Sequence, residues 1–149
     1  MEKAPDFELL DGQGQKRRLS DFWAERPLVL VFYPGDFTPT CTAQLCDYRD
    51  NLARLSSLGV SLVGISPDTP EKHADFAGQN GFTFPLLCDP KGEVIRAYRC
   101  TSKWTLGLLS RAICIVNRRG EIVWRHVEAV AVTRRTADQL AEVIQSLNL

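Results

Sequence analysis

Phe32-Tyr33-Pro34-Gly35-Asp36-Phe37-Thr38-Pro39-Thr40-Cys41-Thr42-Ala43-Gln44-Leu45-Cys46 is the stretch on which the reading of this chain turns. An apolar run, Leu28 to Tyr33, enters it as a strand would when covered on both faces. A Pro/Gly loop follows and delivers Cys41 to the start of a helix, with Thr38 or Thr40 as its cap. The first N–H groups of a helix lack internal partners and the dipole is positive there, a setting that favours a thiolate over a thiol. Cys41, Leu45, Tyr48, Leu52 and Leu55 recur at helical spacing to about Ser57, with Asp47, Asp50, Asn51 and Arg54 off that face. Gly59 closes the element.

Working outward, Phe7 to Leu10 and Lys16 to Leu19 flank a glycine-rich turn and predict an N-terminal hairpin. Ser20-Asp21 is positioned to cap a short helix carrying Phe22 and Trp23. Val60 to Ile65 predicts a second buried strand. Thr69-Pro70-Glu71 opens a helix that Asn80-Gly81 ends. Phe82 to Leu87 predicts a short strand, and Glu93 to Tyr98 one or two helical turns. Residues 99 to 108 are the least regular, and their Trp104 and Leu106 need a surface to pack on. Ile113 to Val116 and Ile122 to Val127 flank the turn Asn117-Arg118-Arg119-Gly120. Thr133 is the expected cap of a last helix with the stripe Leu140, Val143, Ile144 and Leu147. This order predicts one α/β domain over residues 1–149, a thioredoxin-like fold with a mixed central sheet flanked by helices.

Composition narrows the classes of function. Of 149 residues, 44% are hydrophobic and 24% charged, ordinary for a folded soluble domain. Eighteen basic and eighteen acidic side chains cancel, so charge makes no case for nucleic acid or an anionic membrane. The first twenty residues hold no apolar run of signal-peptide length, which makes the cytoplasm the default location. The neutral surface favours a monomer, with a dimer left open. Five cysteines, an odd number, argue against a secreted disulfide framework.

The chemistry then rests on Cys41 as nucleophile. Thr38 carries a hydroxyl that can donate to the thiolate or bridge to an incoming oxygen. Pro34 and Pro39 stiffen the loop and wall the sulfur from water. A cation is also needed. Arg49 lies two turns along and off the face; Arg111, just before a strand whose end borders the crevice of an open α/β sheet, is the better candidate. A strand-edge arginine is usually solvated. Cys46 offers a second sulfur. Five residues along an ideal helix separate the Cα atoms by roughly 8–9 Å, against about 4.4–6.8 Å in a disulfide. The two cysteines pair only if the first turns unwind; otherwise Cys46 is a bystander. Cys88 and Cys114 read as structural, Cys100 has no evident partner, and His73 and His126 read as surface or core residues. No zinc-type spacing and no C-x-x-C occurs.

On these residues the chain resembles the peroxiredoxins. Pro34, Thr38 and Cys41 match the family's P-x-x-x-T-x-x-C, and F-Y-P-G-D-F-T-P-T-C-T is similar to the Q-type branch, named for the bacterioferritin comigratory protein. That branch often has its resolving cysteine where Cys46 stands, and Arg111 matches the family's active-site arginine. Two positions depart from the pattern. Gln44 replaces a common glutamate, and Arg111-Ala112-Ile113-Cys114 replaces the usual Ser/Thr-Thr-Phe after the arginine. The resemblance implies a peroxidase reducing hydrogen peroxide or small organic hydroperoxides. Cys41 would become a sulfenic acid, Cys46 would condense with it to a disulfide, and a thioredoxin or similar dithiol would restore both thiols, without metal, haem or flavin. Two other readings stand beside it: a disulfide oxidoreductase on the same frame, and a non-enzymatic redox sensor or holdase.

Overall fold

The computed structural model describes residues 2–101, 111–128 and 135–149. The chain opens with β1 (Glu2–Lys3), then the predicted hairpin of β2 (Glu8–Leu10) and β3 (Lys16–Arg18), paired antiparallel with Leu9 opposite Arg17. Asp11 shapes its turn by accepting the Gln13 and Gln15 amides on one carboxylate oxygen. Helix α1 (Leu19–Glu25) follows, but Arg18 stands at its cap position and no side chain caps it; Ser20 instead bonds Asp6 through both amide and hydroxyl.

Strand β4 (Leu28–Phe32) is buried throughout, as its uninterrupted apolar run requires. Next come α2 (Pro39–Asp50), α3 (Leu52–Ser57), β5 (Ser61–Ser66), α4 (Pro70–Asn80), β6 (Leu86–Cys88), α5 (Glu93–Ala97), β7 (Ala112–Val116), β8 (Glu121–Val127) and α6 (Ala137–Leu147). The six-stranded sheet has the order β1-β8-β7-β4-β5-β6. Strands β4, β5 and β6 run parallel; β7 is antiparallel to β4, and β8 to β7. Among the described residues no helix is long and apolar enough to cross a membrane.

The sheet separates two cores. On one side Val29, Val31, Ile113 and Ile115 pack with Cys41, Leu45 and Tyr48 of α2, Phe76 of α4 and Leu140 and Ile144 of α6. On the other, Leu30, Phe32, Ala112, Cys114 and Val116 pack with Leu19, Val94, Ile95, Tyr98 and Cys100. The period-two alternation of β4 and β7 therefore decides what faces α2.

Several boundaries differ from the expected ones. The helix expected to run unbroken to Ser57 is interrupted at Asn51, whose side-chain amide folds back onto the Asp47 carbonyl and carboxylate. The expected strand 82–87 shrinks to 86–88, because Phe82 and Phe84 stack on each other in the first core and Pro85 has no N–H for a ladder. Gly64 permits this pairing: a Cβ there would lie 2.8 Å from a Leu86 methyl. Thr69 caps α4 as expected, accepting the Lys72 amide, and Gly81 ends it at φ 67°. Helix α6 starts later than expected. Thr136, not Thr133, caps it, in a capping box with Gln139. Thr133, Trp104 and Leu106 lie outside the described residues.

Candidate active site

Strand β4 ends at Phe32, and α2 begins seven residues later at Pro39, so a short loop must reverse the chain. Thr38 is the cap residue, extended at φ −76° and ψ 145°, and its carbonyl takes the Thr42 amide at 2.8 Å. Its hydroxyl donates to the Gly35 carbonyl at 3.0 Å rather than to Cys41. Of the two roles the sequence left open, donation to sulfur is not made, and the Thr38 oxygen is left as an acceptor toward an incoming group. Phe37 adopts φ 65°, a left-handed conformation costly for a bulky residue. Its ring packs on Phe76 at 4.9 Å between centroids, and the loop behind it is tied down from several sides.

That anchoring is the feature the sequence concealed. The Asp36 amide donates to Asp68 at 2.8 Å. The Asp36 carboxylate accepts the Tyr33 hydroxyl at 2.6 Å and faces His73 Nδ1 at 2.6 Å. His73 Nε2 lies 3.0 Å from the Leu87 carbonyl, which can only accept, so the hydrogen of that contact sits on Nε2. The short Nδ1–Asp36 contact then needs a second proton between the two groups. His73 is fully buried and Asp36 is 2% exposed. His73 is thus a core residue, as expected, yet its partner lies 37 positions away and no spacing signals it. Asp36, Asp68 and His73 offer ligand atoms within 4.8 Å of one another, but every one of them is already hydrogen-bonded. The cluster reads as a clamp on the loop. Burial pushes the Asp68 carboxyl up, but the Ser66 hydroxyl, the Asp36 amide and Lys72 outweigh it and hold it below 3.8.

Cys41 lies in the first turn of α2 with no exposed surface. Arg111 Nη2 donates to its sulfur at 2.8 Å. The sheet register explains how residues 70 positions apart meet. Phe32 pairs with Ala112, which places Arg111 just past the end of β4, where the loop begins. Ile113 and Ile115 face α2, and Arg111 falls on the same side by alternation. Its carbonyl accepts the Glu128 amide at 2.9 Å, and the residue is only 3% exposed. Arg49 is spent elsewhere, on the Asn80 carbonyl at 2.6 Å and the Asp50 carboxylate. Pro34 is half-buried, whereas Pro39 is exposed at the helix start.

Gln44 is fully buried one turn further on; its amide donates to the Tyr48 hydroxyl at 3.1 Å, and Tyr48 in turn donates to the Arg135 carbonyl at 2.7 Å. The Gln44 Oε1 has no hydrogen-bond partner among the described residues. Cys46 is half-buried on the intact helix, and its thiol points to Asn80 Oδ1 at 3.6 Å. In this folded form the two sulfurs occupy separate surroundings, as the helical spacing requires. Burial, with Asp36, Asp68, Asp11 and Glu71 nearby, pushes the Cys88 thiol up to about 11, which disfavours the thiolate form. His126 stacks on Trp124 and lies 3.2 Å from a Glu128 carboxylate oxygen.

A buried thiol at a helix start, held by a buried guanidinium, is an arrangement for attack by sulfur on a bond whose cleavage releases negative charge. Comparison with known proteins points the same way. The profile of the AhpC/TSA family matches residues 1–125. Peroxiredoxin Bcp of Bacillus subtilis is 32% identical over 154 residues, covering 98% of this chain and 92% of that one. The crystal structure of peroxidoxin BcpB from Mycobacterium tuberculosis superposes with a TM-score of 0.82 at 29% identity, over 99% of this chain and 94% of that one. The bacterioferritin comigratory protein of Xanthomonas campestris, described for its alkyl peroxide reduction activity, gives 0.79 at 25% identity, over 95% and 90%.

Proposed function

The chain belongs to the AhpC/TSA family, the peroxiredoxins, and from that premise we propose that Cys41 is the sulfur with which this thiol-dependent peroxidase attacks hydrogen peroxide or a small organic hydroperoxide. The observation that carries the assignment is the 2.8 Å contact from Arg111 Nη2 to Cys41 Sγ, between two buried side chains. The guanidinium is aimed at the attacking sulfur and stays beside the oxygens as charge moves onto the leaving one.

The reaction follows from the donors present. The Cys41 thiolate attacks one peroxide oxygen, the O–O bond breaks, and the other oxygen departs as water or alcohol after taking a proton. Cys41 is left as a sulfenic acid. Because the Thr38 hydroxyl gives its hydrogen to Gly35, its oxygen is available to accept the peroxide O–H, which orients the substrate. Pro34, its φ fixed by the ring, stiffens the loop that leads to Cys41.

Resolution falls to Cys46. Its thiol faces Asn80, so the first turns of α2 must unwind before it reaches Cys41. Attack by Cys46 on the sulfenic sulfur forms the disulfide and releases water. Exchange with a thioredoxin-like dithiol then regenerates both thiols. Such a cycle suits a reducing compartment, the cytoplasm, and a monomer suffices for it, since both sulfurs belong to one chain.

Peroxide consumption coupled to a dithiol reductant tests the assignment. Cys41→Ser abolishes turnover on this account; full turnover in that variant would overturn it.

A further inference from the structure

Two cysteines outside this machinery lie against each other. Cys100, just past the end of α5, and Cys114, in the middle of β7, have their sulfurs 3.2 Å apart, and both are fully buried. They lie in the core on the opposite face of the sheet from Cys41. Bringing the sulfurs to a bond length of about 2.05 Å requires a closure of only about 1 Å. A charge sits beside them. Arg125 stands opposite Cys114 in the β7–β8 register, and its guanidinium is fixed by the Tyr98 carbonyl at 2.9 Å and by Glu2 at 2.5 Å.

We propose that Cys100 and Cys114 form a second redox couple, which peroxide oxidises to an intramolecular disulfide independently of Cys41. The roles of the two sulfurs differ. The hydrogen bond from Cys114, aided by the Arg125 charge, holds the Cys100 thiol below its ordinary value against the effect of burial. The same hydrogen bond, together with burial, pushes Cys114 up. Cys100, which lies past the end of α5 and outside the strand ladder, is assigned as the attacking sulfur, and Cys114, held in mid-strand, as the resolving one. The Cys100 sulfur bonds to one peroxide oxygen as the O–O bond breaks, and the departing oxygen leaves as water or alcohol with a proton. Cys114 then attacks the Cys100 sulfenic sulfur, the S–S bond forms, and the sulfenic oxygen leaves as water with the Cys114 proton. Two thiols and one peroxide become one disulfide with water, or with water and an alcohol, and a dithiol reverses the change by exchange.

The disulfide would tie the end of α5 to the strand that begins beside Arg111. Burial of both sulfurs makes this oxidation slower than that of Cys41. The couple is thus a reserve that fills under sustained peroxide rather than a step of each turnover.

The test uses the full chain carrying Cys41→Ser and Cys46→Ser, which leaves Cys88, Cys100 and Cys114. After excess hydrogen peroxide, acid quenching and alkylation in denaturant, mass spectrometry is expected to find Cys100 joined to Cys114 with the loss of two hydrogens, and Cys88 alkylated. The oxidised chain is expected to melt several degrees higher than the dithiothreitol-treated one, a gain absent when Cys114→Ser is added. The same mapping on the wild-type chain, where the bond should accompany a Cys41–Cys46 disulfide, covers the case in which the serine variant does not fold. Alkylation of both Cys100 and Cys114 as thiols after this treatment, or bonding of either to a different cysteine, overturns the proposal. Since the test chain lacks Cys41, failure of the peroxidase assignment leaves it unaffected.

Discussion

Replacing Arg111 with methionine removes a buried charge while keeping most of the side chain's length. At 2.8 Å, opposite unit charges attract by about 6 kcal/mol for an effective dielectric of about 20. Much of this offsets the cost of holding both groups away from water. Hydrogen bonds to charged groups retain about 1.5–3 kcal/mol, and a donor aimed at developing charge contributes about 2.7–4 kcal/mol to the transition state. Oxidation of Cys41 by peroxide is therefore expected to slow by about 10²–10³-fold in Arg111→Met. Rapid-quench mass spectrometry in a single turnover reads this rate directly. The alkylation rate of Cys41 across pH, measured in parallel, separates loss of thiolate from loss of transition-state stabilisation. Circular dichroism checks that the variant folds. A slowing of less than roughly tenfold, about 1.4 kcal/mol, would refute the reasoning, since the contact would then hold the fold rather than the reaction.

Thr38→Val removes the oxygen that accepts the peroxide O–H and is expected to lower kcat/KM by about 10–10²-fold, whereas Thr38→Ser retains most activity; loss in Thr38→Ser with activity kept in Thr38→Val would point to the methyl group instead. His73→Ala strands the buried Asp36 carboxylate, and urea denaturation is expected to show a loss of about 3–5 kcal/mol; a change below about 1 kcal/mol would mean that the clamp is not formed. The Asp68 carboxyl is held low in the folded chain, so its contribution is present above the ordinary value of 3.8 and is lost as pH falls below it through the folded value. Stability measured against pH should consequently fall less steeply below 3.8 in Asp68→Asn than in the wild type, and identical acid limbs would contradict this.

What could be read from the chain was local. The unbroken apolar run of β4, the threonine-proline-glutamate start of α4 and the alternation of β7 each follow from propensities acting over a few residues. The position of Cys41 at a helix start is of the same kind. Hidden from that reading were contacts whose partners come together only when the sheet forms. His73 reaches Asp36 across 37 positions, Tyr48 finds the Arg135 carbonyl across 87, and Cys100 meets Cys114 because a helix end and a middle strand share one face. The break at Asn51 was masked for a related reason. The apolar stripe continues past it, and only the geometry shows one Asp47 carboxylate oxygen accepting the distant Ala137 amide while the other accepts Asn51. The Thr38 hydroxyl sits where expected but bonds backbone rather than sulfur, a choice among nearby acceptors that composition does not encode. Arg111 was locatable as a strand-edge cation, and the register of Phe32 with Ala112 explains why it reaches Cys41.

Peptide mapping of the wild-type chain after one equivalent of hydrogen peroxide tests the central claim most directly. The account predicts a Cys41–Cys46 disulfide as the product, formed through a Cys41 sulfenic acid that a dimedone trap captures at short times. A Cys41 sulfenic acid that persists with Cys46 still a free thiol would contradict resolution within α2, and an unoxidised Cys41 would contradict the account as a whole.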